Sequence, residues 1–112
     1  MIPDCLFCKI VDRRLPSDIV YEDDDVLAFN DIHPQAPTHV LIIPKWHVAT
    51  VNDVTDATTF STLIERARDI ATKRGIATSG YRVLLNCNPD GGQSVYHLHL
   101  HLLGGRPLRG LG

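Results

Sequence analysis

Apolar and polar residues alternate with a period of two in one stretch near the carboxyl end of the chain. Three histidines alternate there with leucines from His97 to Leu102, and the pattern stops at residues 104–105, which are both glycine. Because successive side chains of a β-strand point to opposite faces, the alternation predicts a strand over residues 95–103. Its leucine face can be buried, and its histidine face then forms a row of three imidazoles on a rigid support.

The remaining hydrophobic pattern predicts four more strands and two helices. Short apolar runs rich in β-branched residues favour strands, and these cover residues 19–22, 26–29, 38–43 and 82–86. Apolar positions spaced three and four apart predict a long amphipathic helix over roughly residues 56–74, with Gly75 suited to its end. Apolar pairs four apart predict one or two helical turns over residues 5–11.

This order of elements predicts an α+β domain. A hairpin, a strand, a helix and two strands favour an antiparallel sheet of about five strands with helices on one face. At 112 residues, the chain is close to the usual size of one domain. We therefore expect a single domain over residues 1–112, in which 105–112 form a carboxyl-terminal tail.

Composition and charge exclude several classes of function. The net charge is −2 without a long basic run, which argues against a nucleic acid polymer as a partner. No apolar run approaches the roughly 20 residues of a membrane span, and no basic segment precedes an apolar one at the amino terminus as in a secretory signal. Three cysteines make no disulfide framework, so we expect a reducing, cytoplasmic compartment.

The histidine row carries the strongest chemical signal. Histidine serves as general acid or base near neutral pH, as a nucleophile, or as a metal ligand. A solvated strand face is the plainer interpretation of a single histidine. Three in strict alternation behind the turn at residues 91–94 favour a functional row.

The same residues resemble a known family. The motif over residues 97–103, His-φ-His-φ-His-φ-φ with φ apolar, resembles the signature of the histidine-triad (HIT) superfamily. Further segments look like its purine-nucleotide-binding branch, the histidine-triad nucleotide-binding proteins: residues 7–10, 21–24, 28–32, 34–39, 43–45, 90–97 and 103–106. The likeness covers nearly the whole chain and implies a HIT-like fold.

The resemblance implies distinct roles for the histidines. His99, the middle one, would be the nucleophile that attacks the α-phosphorus and forms a covalent nucleotidyl-imidazole, without a metal in the chemistry. The backbone carbonyl of His97 would accept the N–H of His99, and His101 would donate a hydrogen bond to the phosphate. His39 would complete the network as the fourth active-site histidine. Ser94 would lie near the leaving group and the phosphate.

Further residues are matched to nucleotide binding. Gln93 and Ser94 follow the glycine turn, whose amides can cradle phosphate oxygens. Asn86 would lie on the phosphate side, or cap the end of a strand. Asp31 would accept hydrogen bonds from the ribose hydroxyls, or serve only as a turn residue. The purine pocket, or plain core packing, would use five apolar residues: Leu6, Phe7, Ile10, Phe29 and Ile32.

A second chemical signal is the pair Cys5 and Cys8. Two cysteines at this spacing suit tetrahedral zinc, which requires two more ligands. His47 and His97 are the candidates, and the resemblance supports them because some bacterial histidine-triad proteins bind structural zinc with this set. Other members lack one of these cysteines and bind none, and two reduced thiols in a small core are the alternative.

The resemblance also implies an activity and an assembly. The expected reaction is hydrolysis of purine nucleoside phosphoramidates or acyl-adenylates to a nucleoside 5′-monophosphate. The expected assembly is a homodimer. The alternatives are a dinucleoside polyphosphate hydrolase or nucleotidyl transferase, which shares the histidine row, and a nucleotide-binding regulatory module with incidental turnover.

Overall fold

Five antiparallel strands, two α-helices and two short 3₁₀ helices (Val51–Asp53 and Pro89–Gly91) make up the regular structure of residues 4–111, the part of the chain that the computed structural model describes. The strands are β1 (Ile19–Glu22), β2 (Val26–Asn30), β3 (Thr38–Pro44), β4 (Tyr81–Leu85) and β5 (Leu100–Gly104), and the helices are α1 (Leu6–Val11) and α2 (Thr58–Lys73). They form one sheet in the order β1-β2-β3-β5-β4. The predicted α+β class and the predicted long and short helices are confirmed.

The two helices cover opposite faces of the sheet, so the prediction of helices on one face is wrong. Helix α2 packs with Leu63 and Ala67 against one face, whereas α1 packs with Phe7 and Ile10 against the other. Strands β2 and β3 lie between both layers, and every residue of β3 is buried. Their apolar runs are nearly continuous rather than alternating, which is typical of a strand buried on both faces.

The histidine strand is shorter than predicted, because β5 begins at Leu100 rather than at residue 95. The alternation of faces is nevertheless correct: Leu98, Leu100 and Leu102 are buried on the α2 side. The backbone carbonyl of Pro44, at the end of β3, accepts a hydrogen bond from the His97 ring at 2.8 Å. The His97 side chain therefore bonds a β3 carbonyl that lies beyond the last backbone pair between β3 and β5.

A carboxylate network ties the β1–β2 turn to α2. Asp23 accepts hydrogen bonds from the Tyr21 hydroxyl at 2.7 Å and Arg66 Nε at 2.6 Å. It also accepts from the backbone amides of Asp25 and Val26. Partial burial raises the pKa of Asp23, but the bonds from Arg66, Tyr21 and the amides outweigh it and hold that pKa well below its usual range.

We expect Asp23→Asn to lower the free energy of unfolding at pH 7 by about 1–2 kcal/mol, since hydrogen bonds to a charged group are lost. A depressed folded pKa stabilises the protein above the unfolded value near 4. The difference between variant and parent should therefore shrink as the pH falls below about 4. Urea unfolding between pH 3 and 7 measures it. The exposed neighbour Asp24 provides the control, and an equal effect of Asp24→Asn would contradict the network.

Within residues 4–111, no helix combines the length and the hydropathy that a membrane span requires.

Candidate active site

Three histidines meet on the face of the sheet that α1 covers. His39 lies on β3, His101 lies on the neighbouring strand β5, and His99 immediately precedes β5. The ring centroids of His99 and His101 are 5.0 Å apart, and those of His39 and His101 are 5.3 Å apart. The structure therefore brings together three of the five residues predicted as catalytic, His39, His99 and His101.

The tautomer of His99 is set by the backbone. Its Nδ1 lies 2.7 Å from the carbonyl oxygen of His97. A carbonyl can only accept, so Nδ1 carries the proton and Nε2 keeps its lone pair. Burial lowers the pKa of His99, against the opposing effects of the His97 carbonyl and the Asp31 charge. The edge contact of Phe7, at 5.1 Å between centroids, fixes the ring further. His99 is thus a neutral imidazole with one unprotonated nitrogen, the form a nucleophile requires.

His39 and His101 form a directed relay. The backbone N–H of Gln35 donates to His39 Nδ1 at 3.0 Å, so the proton of His39 is on Nε2. That N–H donates to His101 Nδ1 at 3.0 Å, which places the proton of His101 on Nε2. Burial, together with the neighbouring His99 and His39, lowers the pKa of His101 to about 4. At neutral pH both rings are therefore uncharged. Each ring accepts a hydrogen bond at Nδ1 and carries its proton on Nε2.

The relay ends in an unpaired donor. His101 Nε2 is the one buried side-chain nitrogen or oxygen in residues 4–111 that has no hydrogen-bond partner. Burying such a group without a partner costs about 1–3 kcal/mol. A donor kept at that cost beside the His99 ring can bind an anionic oxygen of a small molecule.

A pocket of about 440 Å³ opens beside His99 and His101. Its walls include all five apolar residues predicted for the purine: Leu6, Phe7, Ile10, Phe29 and Ile32. Ile32 is 85% exposed and Leu6 is 46% exposed, so core packing alone does not account for them. Sequence reasoning missed seven other lining residues: Leu15, Pro16, Ser17, Asn30, His33, Leu41 and Val95. An apolar slot with a few convergent polar groups is the usual design of a small-molecule site.

Asp31 and Ser94 also line this pocket. One carboxylate oxygen of Asp31 accepts from the backbone N–H of His33 at 2.8 Å. The other lies 3.5 Å from His39 Nε2, so the carboxylate is fixed beside the relay. Ser94 is exposed at the rim. The contacts of Asp31 with ribose and of Ser94 with phosphate stay predictions.

Gln93 and Asn86 are not part of the pocket wall. The amide oxygen of Gln93 accepts from Asn88 N at 2.9 Å, and its NH₂ group donates to the carbonyls of Ala49 and Val95. The Gln93 side chain therefore stabilises the glycine turn through three hydrogen bonds to backbone groups. Asn86 is half-buried directly after β4. Phosphate contacts of these two residues stay predictions.

The four predicted metal ligands converge at the start of α1. Cys8 Sγ lies 3.3 Å from His47 Nδ1 and 3.5 Å from His97 Nδ1, and Cys5 Sγ lies 3.4 Å from His97 Nδ1. All four ligand atoms lie within 4.8 Å of one another. Ligands of one tetrahedral zinc are separated by about 3.3–3.8 Å at ordinary bond lengths. Because His97 Nε2 donates to Pro44, its Nδ1 lone pair faces both sulfurs, and the donor set fits zinc.

Comparison with known proteins agrees with this geometry. The family model of the HIT domain matches residues 12–108. The chain is 54% identical over 110 residues to the purine nucleoside phosphoramidase of Escherichia coli K12, covering 96% of this chain and 92% of that protein. A HIT family hydrolase from Legionella pneumophila superposes with a TM-score of 0.92 at 52% identity, covering 95% of this chain and 96% of the other. A histidine triad protein from Clostridium difficile gives 0.93 at 43% identity, covering 100% and 99%. The chain belongs to the HIT domain family.

Proposed function

We propose that this protein hydrolyses purine nucleoside phosphoramidates to a nucleoside 5′-monophosphate and an amine. The observation that carries the proposal is the fixed tautomer of His99, a neutral imidazole with one unprotonated nitrogen in a residue that lines the pocket. The lone unpaired donor on His101 supplies a contact for phosphate oxygen. The name of the Escherichia coli relative supports the same reaction.

The reaction proceeds in two displacements. His99 Nε2 attacks the α-phosphorus, and the electron pair of the P–N bond leaves with the amine, which takes up a proton from solvent. Water then displaces His99 from phosphorus, which releases the monophosphate and one proton and restores the neutral imidazole. His101 Nε2–H holds a phosphate oxygen in both steps. Splitting one hard displacement into two easier ones is the advantage of a covalent route.

The competing activities separate by direct comparison of substrates. We expect kcat/KM for a fluorogenic adenosine phosphoramidate to exceed that for a diadenosine polyphosphate. Faster turnover of the dinucleotide would assign the protein to polyphosphate hydrolysis. Tight binding of adenosine monophosphate without turnover of either substrate would make it a binding module, and would contradict the proposal.

Asp31 is proposed to hold the ribose hydroxyls. We expect the parent to turn over a ribose substrate with a kcat/KM on the order of tenfold above that of its 2′,3′-dideoxy analogue, as for a loss of about 1.4 kcal/mol. Asp31→Asn should lower the rate on the ribose substrate and leave the analogue nearly unchanged. Steady-state kinetics on the four combinations measure this. An equal loss on both substrates would place Asp31 in the histidine network instead.

We also propose that Cys5, Cys8, His47 and His97 hold a structural zinc ion. The ion would supply a cross-link between α1, the segment after β3 and the segment before β5, and no chemistry in the reaction. That cross-link would hold Phe7 of α1 against His99. Elemental analysis of the purified protein should find about one zinc per chain, and Cys8→Ser should remove it. Cys87→Ser, outside the cluster, is the control, and equal metal content in both variants would contradict the site.

Two further proposals concern assembly and compartment. A second copy of the chain would pack on the surface formed by β4 and α2. Strand β4 is an outer strand of the sheet and exposes Tyr81, and α2 exposes Ile64. Light scattering after gel filtration should give twice the chain mass, and a monomer would contradict it. We propose the cytoplasm as the compartment, because three cysteines make no disulfide framework.

A further inference from the structure

We propose that Arg106, an exposed residue of the tail, is a positioning residue for the active site. Its Nη2 donates to the carbonyl oxygen of Gln35 at 2.8 Å. The N–H of the same Gln35 donates to His39 Nδ1 at 3.0 Å. Arg106 therefore holds the residue that sets the direction of the imidazole relay. The inference rests on the role proposed for His101 in the hydrolysis.

The fold brings the tail to this loop by strand register. Strand β5 pairs antiparallel with β3, and Gly104 lies opposite Thr38. Because the pairing is antiparallel, the residues that follow Gly104 run beside the residues that precede Thr38. Arg106 therefore reaches the loop before β3. Gly105 makes the turn with φ +99°, and a Cβ there would lie 2.9 Å from Pro37 Cβ. The tail is thus packed tightly against the loop rather than merely adjacent to it.

Gln35 is held on both sides of its Cα. Arg106 binds the peptide group that follows Gln35, and His39 accepts from the peptide group that precedes it. The Gln35 side chain also donates to the carbonyl of His33 at 3.0 Å. These contacts leave its N–H little freedom to turn away from His39.

The direction of this N–H, together with the Asp31 carboxylate 3.5 Å from His39 Nε2, sets what His101 presents to the substrate. If Gln35 moved away, His39 Nδ1 could carry the proton, and its Nε2 would become an acceptor. His101 would then donate from Nδ1 to His39 and leave a lone pair on Nε2. A lone pair facing phosphate oxygen is repulsive, whereas an N–H is attractive. The contact of Arg106 therefore favours the tautomer that binds phosphate.

The test reads the tautomers directly, without substrate. In ¹⁵N-labelled parent protein at neutral pH, long-range proton–nitrogen spectra should show His39 and His101 protonated on Nε2. Arg106→Gln should give mixed tautomers at both rings and lower kcat on the order of tenfold, as for a weakened oxyanion donor, with little change in KM. Arg106→Lys keeps a donor and the charge. It should therefore retain much of the parental tautomer population and much of the parental kcat.

Arg109→Gln is the matched control, since it removes the same charge from the same tail, where its backbone carbonyl rather than its side chain is bonded to Arg82. We expect parental tautomers and parental kcat for it. Unchanged ring-nitrogen shifts in Arg106→Gln, or an equal loss of kcat in Arg109→Gln, would overturn the inference. An inactive parent with the expected tautomers would instead overturn the proposed function, so the two failures are distinguishable.

Discussion

Replacing His99 with alanine is expected to lower the turnover of an adenosine phosphoramidate by about 10⁴-fold or more. The expectation follows from the chemistry: without the imidazole, water must attack phosphorus directly and no covalent intermediate forms. His97 cannot substitute, because its Nε2 is bonded to Pro44 and its Nδ1 faces the two cysteines. A fluorogenic substrate gives the rate, with kcat and KM determined separately.

Binding serves as the control for this variant. His99→Ala should still bind adenosine monophosphate, since the apolar walls and Asp31 are intact, and calorimetry measures that affinity. Circular dichroism shows whether the variant is folded. Equal rates for the variant and the parent would end the assignment of His99 as nucleophile.

Removing the proposed zinc should cause the largest loss of stability. A ligand present at about 1,000 times its Kd stabilises the folded state by about 4 kcal/mol, and in a domain of this size one kcal/mol shifts Tm by roughly 4 °C. We therefore expect chelation, or Cys8→Ser, to lower Tm by at least about 10 °C. Differential scanning calorimetry measures the change.

The cause of that loss is the position of α1. This helix has only six residues, too few to be stable alone, and Cys5 and Cys8 lie at its start. Activity should fall with stability, because Phe7 would no longer pack on His99. Cys87→Ser should keep the parental Tm. If chelation leaves Tm unchanged in protein shown to have contained zinc, the ion is not structural.

Much of the fold could be predicted because it depends on side-chain pattern. The alternation of histidine and leucine separated the two faces of β5. The spacing of Cys5 and Cys8 indicated a metal site, and the family resemblance supported His47 and His97 as its other two ligands. The unbroken apolar runs of β2 and β3 also indicate strands that are covered on both faces. The order of elements suggested helices on one face only, and that prediction was wrong.

What could not be predicted depends on backbone groups. The alternation alone treats His97, His99 and His101 alike. The family resemblance supplied the contact of the His99 ring with the His97 carbonyl, but nothing in the sequence predicted the bond of the His97 ring to the Pro44 carbonyl. The N–H of Gln35 has no counterpart in the side-chain pattern. Arg106 is one of 11 Lys and Arg residues. The resemblance over residues 103–106 includes it, but only the register of β3 and β5 shows that it reaches Gln35.

The central claim is that His99 becomes covalently bound to the nucleotide during turnover. Rapid mixing with excess phosphoramidate, quenching in alkaline denaturant and intact-mass spectrometry test it most directly. The account predicts a species heavier by one nucleoside monophosphoryl group, with fragmentation placing the adduct on His99 and no adduct in His99→Ala. An adduct on another residue would contradict the account. So would the absence of any adduct at every quench time, in a fully active preparation and under conditions that preserve phosphohistidine.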